Sequence, residues 1–286
     1  MLVLVGLSLV ALFGYVASLN VEALDPAHIR LTERFRPPLS PADAALEGDS
    51  RPLFGIYWLG TDDLGRDVLA RFLEGARVSL SIGLVVVVIG TGIGILLGGL
   101  AGFAGHRRIG PVTLDALIMR CTDLMLCFPS FFLILTVVAL LPPSVYYIML
   151  VLGLTGWMGT ARLVRAELLA IKNREYIQAA RALGYSGPRI LLRHALPNAL
   201  SPVLVSASLT VATAILTEST LSFLGFGVQP PHATWGTMLA DARLYILDAP
   251  WLVIVPSLAI FVVVLAFHLL GEGIREAADP RLGRGL

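Results

Sequence analysis

Long apolar runs, separated by shorter charged stretches, set the character of this chain. Six runs are long enough to cross a bilayer, at about 2–19, 78–104, 112–141, 145–164, 199–218 and 251–271. Between them lie two longer polar segments, 20–77 and 219–250. The first contains "RFRPPLSPADAALEGDSRP" and ends in the amphipathic piece "DVLARFLEGARVSL", which reads as a short helix lying at the membrane interface. The second contains "GFGVQPPHATWG", too rich in Gly and Pro for a continuous helix. Pro129, in "CFPSFF", is expected to kink the third run. The first run has neither the basic leader nor the cleavage site of a signal peptide, so it reads as a retained span. It begins in apolar sequence, and a short cytoplasmic leader ahead of it is expected.

Composition agrees with this pattern. The 286 residues are 56% hydrophobic and 14% charged, where a soluble domain carries about 25% charge. The net charge of +1 gives no basic footprint for nucleic acid. Charge placement sets an orientation. If the N-terminus is cytoplasmic, thirteen of the 21 basic residues fall on inner segments, which also places the C-terminus in the cytoplasm. Cys121 and Cys127 fit neither a disulfide framework nor a zinc spacing, and read as small buried side chains. No nucleophile, zinc or phosphate-loop motif occurs; the only lysine, Lys172, is not in a Gly-Lys-Ser/Thr context.

Gly90, Gly94, Gly98 and Gly102 recur every four residues on one face of the second run, which lets another backbone approach closely. Ionisable residues within the spans are few, because each is costly there. Asp115, Arg120 and Asp123 lie near the inner end of the third run, and the three-residue spacing predicts an Arg120–Asp123 pair. Glu218 ends the fifth run, and His268 and Glu272 share a face of the sixth. A polar pathway and structural ion pairing both account for these positions.

The loop over 173–197 is unusual. At 100° per residue, Arg174, Glu175, Gln178, Arg181 and Ala182 occupy one arc of a helix; Tyr176, Ile177, Ala179, Ala180 and Leu183 occupy the other. Asn173 is placed to cap its start and Gly184 to end it in a left-handed conformation. Ser186 and Pro188 suit the start of a second helix, and Pro197 opens the next span. One face is expected to pack on the protein and the other to offer charge and small side chains. The pattern alone fits a docking element and a solvated interfacial helix equally well.

Within this loop, "QAARALG" followed by "LP" resembles the EAA motif of ABC-importer permeases, matching at Ala179, Ala180, Gly184, Leu196 and Pro197. Gln178 stands where that motif has Glu, and His194 where it has Ile. The likeness extends through "GTDDLGRDVLARFLEGARVSL", "CFPSFF", "EYIQAARALG", "RHALPN", "ESTLSFLGFGVQPP", "WGTMLADAR" and "DPRL", and the chain is similar to C-type permease subunits of dipeptide, oligopeptide and nickel importers. The resemblance implies an all-α type I importer fold with about six transmembrane helices in a bacterial inner membrane. It divides the chain into a first span (1–19), an extracytoplasmic segment (20–77), a permease core (78–271) and a cytoplasmic tail (272–286). It implies a coupling helix in which Glu175, Tyr176, Gln178, Ala179, Ala180, Arg181 and Gly184 meet an ATPase, supported by Leu196 and Pro197. The implied partners are a homologous B-type permease, two cytoplasmic ATPase subunits that bind ATP and Mg and perform the hydrolysis, and an extracytoplasmic solute-binding protein. No cofactor is implied in this chain. An ion-coupled secondary transporter would be expected to carry midplane charges and repeated broken spans, and an intramembrane enzyme a catalytic constellation; neither pattern is clear.

Overall fold

A computed structural model describes residues 24–44, 46 and 52–278. Nine helices carry the described chain: α1 Val68–Ala104, α2 Leu114–Cys127, α3 Ser130–Leu140, α4 Val145–Thr155, α5 Trp157–Ile171, α6 Glu175–Ala182, α7 Gly187–Phe223, α8 Trp235–Ala242 and α9 Trp251–Ala278. Two small antiparallel ribbons accompany them. β1 (Ser40–Pro41) pairs with β2 (Ile56–Tyr57), and β3 (Arg108–Ile109) with β4 (Val112–Thr113). Contacts divide the chain into two compact units. One gathers the described residues up to Gly83 with Val138–Ile148 and Ala212–Ala266; the other gathers Leu84–Val137, Met149–Val211 and the described residues from Phe267.

Four helices among the described residues are long and apolar enough to cross a membrane: α1, α4 joined to α5, α7, and α9. A fifth span is made if α2 and α3 count as one. The expectation of six is therefore met only to five, and the run over 2–19 lies outside the described residues. The break between α2 and α3 bends the chain by 81°. Pro129 cannot donate a backbone hydrogen bond, and Phe128 before it is extended at φ −83°, ψ 133°. This is a break in the helix, more than the expected kink.

The amphipathic piece 67–80 is not a separate interfacial helix. It forms the opening turns of the 37-residue α1. Its charges are satisfied by polar segments, so the helix runs on. Arg71 Nη1 lies 2.7 Å from Asp62 Oδ2, and its Nη2 lies 2.9 Å from Asp241 Oδ2 on α8. Glu74 accepts from the Ala233 amide at 3.0 Å and lies 3.0 Å from His232 Nδ1. Asp67 immediately precedes α1, and its Oδ1 accepts from the Leu69 amide at 2.8 Å. Burial pushes the Asp67 carboxyl up to about 6 and the Tyr57 hydroxyl up to about 12.

The segment 219–250 does hold a short helix, α8. Thr234 and Thr237 cap it reciprocally, and the buried Glu218 accepts from Thr234 Oγ1 at 2.9 Å and Ser222 Oγ at 2.6 Å. Trp235 is fully buried, with its amide donating to Ser79 Oγ and its ring N–H to the Phe72 carbonyl, both at 3.3 Å.

The glycine stripe makes the close approach that its spacing suggests. A Cβ at Gly94 would stand 2.5 Å from Thr160 Cβ, one at Gly98 2.9 Å from Val164 Cβ, and one at Gly102 2.9 Å from Leu168 Cβ. The backbone and Cβ atoms of α5 therefore fill the space that side chains on this face of α1 would need. Cys121 and Cys127 are free and exposed, contrary to the buried placement expected. Both fall on the open surface of α2, where only Ile118 and Thr122 are buried.

Candidate functional site

The loop between α5 and α7 holds a short, firmly seated helix. α6 spans Glu175–Ala182, close to the bounds expected. Arg174, not Asn173, occupies the N-cap position, extended at φ −75°, ψ 147° and without a side-chain cap. Its carbonyl accepts from the amides of Ile177 at 3.1 Å and Gln178 at 3.2 Å. Glu175 in the first turn and Arg181 in the last complement the helix dipole.

The C-terminus closes by a Schellman motif. The Tyr185 amide donates to the Ala180 carbonyl at 3.1 Å and the Gly184 amide to the Arg181 carbonyl at 2.9 Å. Gly184 is left-handed at φ +76°. A Cβ there would meet nothing within 4 Å. Glycine is thus required by backbone conformation and not by crowding.

Two residues seat the helix. Ile177 is fully buried and Ala180 nearly so, in a cluster with Val164, Leu168 and Ile171 of α5 and Ile190, Ala195, Ala199 and Val203 of α7. Lys172 Nζ donates to the Phe103 carbonyl at 3.3 Å, tying the turn before α6 to the end of α1. On the far side α7 begins at Gly187, with Ser186 at its N-cap and Pro188 in its first turn. It does not restart at Pro197. A π-helical turn over Leu191–Ala195 lets the Leu196 amide bond the Leu191 carbonyl, and the helix passes through the proline without a break. Leu196 and Pro197 lie in that continuous helix, just past the buried Ala195.

This seating corrects the two arcs read from the sequence. Only Ile177 and Ala180 of the apolar arc turn inward. Tyr176, Ala179 and Leu183, spaced i, i+3 and i+7, are exposed together with Glu175, Gln178 and Arg181, and Leu183 is 72% exposed. The free face of α6 thus carries an apolar stripe bordered by charge. Ala180 was expected on the docking face but belongs to the packed one.

Next to this face, Tyr185 stacks on His194 with ring centroids 5.9 Å apart, and the Arg189 guanidinium stands 4.8 Å from the Tyr185 ring centre. His194, which departs from the motif, is therefore engaged through its ring. No local pattern of residues signals this contact.

The expected Arg120–Asp123 pair does not form. Asp123 instead binds Arg162 Nη2 at 2.5 Å, from α2 to α5. Asp115 pairs with Arg165 through both carboxylate oxygens, at 2.5 and 2.7 Å. These pairings fasten α2 to α5, the helix that leads into α6, and sequence spacing could not reveal partners 39 and 50 residues apart. Among the described residues no group of three or more His, Cys, Asp or Glu side chains is placed to hold a metal.

Comparison with known proteins agrees with this architecture. Residues 90–284 match the family described as "Binding-protein-dependent transport system inner membrane component". The oligopeptide transport system permease protein OppC of Bacillus subtilis is 39% identical over 226 residues, 79% of this chain and 72% of that protein. The di/tripeptide transport system permease protein DppC of Pseudomonas aeruginosa is 44% identical over 251 residues, 88% of this chain and 80% of that one. The glutathione transport system permease protein GsiD of Pectobacterium atrosepticum is 42% identical over 226 residues, 79% of this chain and 73% of that one. Among solved structures, the inward-facing MetNI methionine ABC transporter (CY5 native crystal form) shares the fold, with a TM-score of 0.59 at 19% identity over 73% of this chain and 96% of that one. The protein, a multi-pass chain, belongs to the binding-protein-dependent transport system inner membrane components, as the permease subunit of an ATP-driven importer.

Proposed function

We propose that this chain forms half of the translocation path of an importer for peptides or related solutes, and that α6 is the element through which a cytoplasmic ATPase drives it. The substrate class rests on the relatives, which are named as oligopeptide, di/tripeptide and glutathione permeases. In this reading a homologous B-type permease completes the path, two ATPase subunits bind ATP and Mg, and a solute-binding protein delivers cargo from outside. Both termini face the cytoplasm, consistent with the excess of Arg on the segments that then lie inside.

One observation carries the coupling role: a helix of only eight residues is pinned by Ile177 and Ala180, yet leaves Tyr176, Ala179 and Leu183 open as one stripe. An exposed apolar stripe with a charged border is suited to lie in a groove of another protein. The Schellman closure and the continuous α7 behind it make the element stiff. Movement of the docked groove then passes into α5 and α7 instead of being absorbed by a loose loop.

The test uses the assembled importer in proteoliposomes with its binding protein. Leu183→Asp or Ala179→Arg places charge on the open stripe without touching the packed side. Each is expected to abolish both solute uptake and the rise in ATP hydrolysis caused by loaded binding protein, while membrane insertion stays normal. Undiminished uptake by both variants rejects the docking role.

A further inference from the structure

Outside the spanning helices, the unit that contains α8 carries a set of apolar side chains that stand exposed among the described residues. Leu39 and Trp58 lie one residue beyond the paired Ser40 and Tyr57 of the β1–β2 ribbon, and Phe54 lies just before β2. Phe54 is 82% exposed and Leu39 67%, and both hold left-handed backbones, at φ 59° and φ 64°. Such a conformation is strained for a non-glycine residue and persists only where the surroundings impose it.

The surroundings do impose it. The Leu39 amide donates to the Tyr57 carbonyl at 2.8 Å, and the Ala42 amide to the Gly55 carbonyl at 2.9 Å. Glu33, fully buried, accepts from the Asp43 amide at 3.2 Å and from Arg36 Nε at 3.1 Å, and its own carbonyl takes a short bond from Thr61 Oγ1. The ribbon is thus built as a rigid lip that turns bulky apolar groups outward.

Two contacts fix the level of this lip. Trp251, the first residue of the spanning helix α9, donates its ring N–H to the Thr61 carbonyl at 3.3 Å. Phe35 packs on Tyr245, six residues before α9, at 4.8 Å between ring centres. Phe35 and Thr61 are therefore tied to the start of α9 and the connection that leads into it. On the connection into α9, Leu244 and Leu247 are exposed as well, Leu247 at 92%. Below them the exposed face of α9 continues with Ile254, Leu258 and Phe261, spaced as one helical stripe.

We infer that the β1–β2 lip, through Leu39, Phe54 and Trp58, inserts into the interfacial layer of the lipid bilayer. Tryptophan and bulky apolar side chains at the end of spanning helices match that layer, where a ring can bury its body and keep its polar edge wet. The continuity from the α9 stripe to Leu247 and the lip favours lipid over a protein partner as the occupant. The lip acts as an outrigger that fixes the depth and tilt of α1 and α9.

Trp58 provides the probe. The full chain, in its assembled importer, is placed in nanodiscs of ordinary and of dibrominated phosphatidylcholine. The emission of Trp58 is taken as the difference between wild type and Trp58→Phe. Lipid bromine is expected to remove most of that emission, and aqueous iodide little of it. Phe54→Trp, which adds an emitter at the other end of β2, is expected to behave in the same way and keeps the test open if Trp58 is dim. Emission quenched by iodide but untouched by bromolipid overturns the inference. So does shielding from iodide that appears only when the binding protein is added, which would make the lip a protein-docking surface.

Discussion

Alanine at the glycine stripe of α1 probes the close helix contact directly. At Gly98 the added Cβ would lie 2.9 Å from Val164 Cβ and 3.0 Å from Ala161 Cα. At Gly94 it would lie 2.5 Å from Thr160 Cβ. Carbon atoms ordinarily rest about 3.5–4.0 Å apart, so α1 and α5 must separate by about 1 Å or one of them must shift along its axis. Overpacking of this kind costs about 1–3 kcal/mol. Gly92 and Gly99 supply the control on the same helix, since a Cβ at either meets nothing within 4 Å. Alanine at these two sites is expected to stabilise by up to about 1 kcal/mol through helix propensity. The measurement is thermal unfolding of the purified full chain in one detergent, followed by tryptophan emission. Gly94→Ala and Gly98→Ala should melt lower than wild type, and Gly92→Ala and Gly99→Ala no lower. Equal behaviour of the two pairs would refute the close packing of α1 on α5.

Four further outcomes follow from individual residues. Asp67 is bound more tightly by its proton in the folded protein, about 6 against an ordinary value of 3.8. Its contribution is therefore full below about pH 4 and lost as pH rises through 6, about 3 kcal/mol in all. Asp67→Asn retains an Oδ1 acceptor for the Leu69 amide, and should flatten the change in unfolding midpoint between pH 4 and pH 7. Asp115→Asn removes a two-point ion pair with Arg165 and should lower stability by about 1–3 kcal/mol in the same unfolding assay. Asp123→Asn touches only an exposed pair with Arg162 and should cost under about 1 kcal/mol. Gly184→Val imposes a left-handed β-branched residue at the end of α6 and should reduce uptake, whereas Gly184→Asn, which tolerates that conformation, should largely preserve it.

Much of this architecture is legible in the sequence, for reasons that differ by element. Apolar runs mark spans because only length and hydrophobicity are needed, and the four-residue glycine period needs no knowledge of the partner. Gly184 announces its own backbone. The errors fall where a residue's partner is remote. The start of α1 looks like a separate interfacial helix because Arg71 and Glu74 interrupt the apolar pattern; their partners Asp62, Asp241, His232 and Ala233 cannot be seen locally. Asp123 has Arg120 in reach on its own helix, but Arg162 approaches from α5. For α6, the helical wheel separates two arcs without saying how much of the apolar arc the protein will cover. Two small contacts, Ile177 and Ala180, suffice to seat eight residues, and that economy leaves Tyr176 and Leu183 exposed. The strained lip at Leu39 and Phe54 has no sequence signal at all, because nothing in either residue favours a left-handed backbone.

Site-specific cross-linking tests the coupling role of α6 most directly. Cys121 and Cys127 are first replaced by Ser, and Leu183→Cys is introduced in the assembled importer. A short bifunctional reagent should join this position to the ATPase subunit, with a yield that changes when ATP is added, while Tyr146→Cys, equally exposed but far along the chain, should give no such product. Failure of Leu183→Cys to reach any ATPase, combined with its labelling by a membrane-impermeant thiol reagent from outside intact cells, would contradict both the docking role and the orientation.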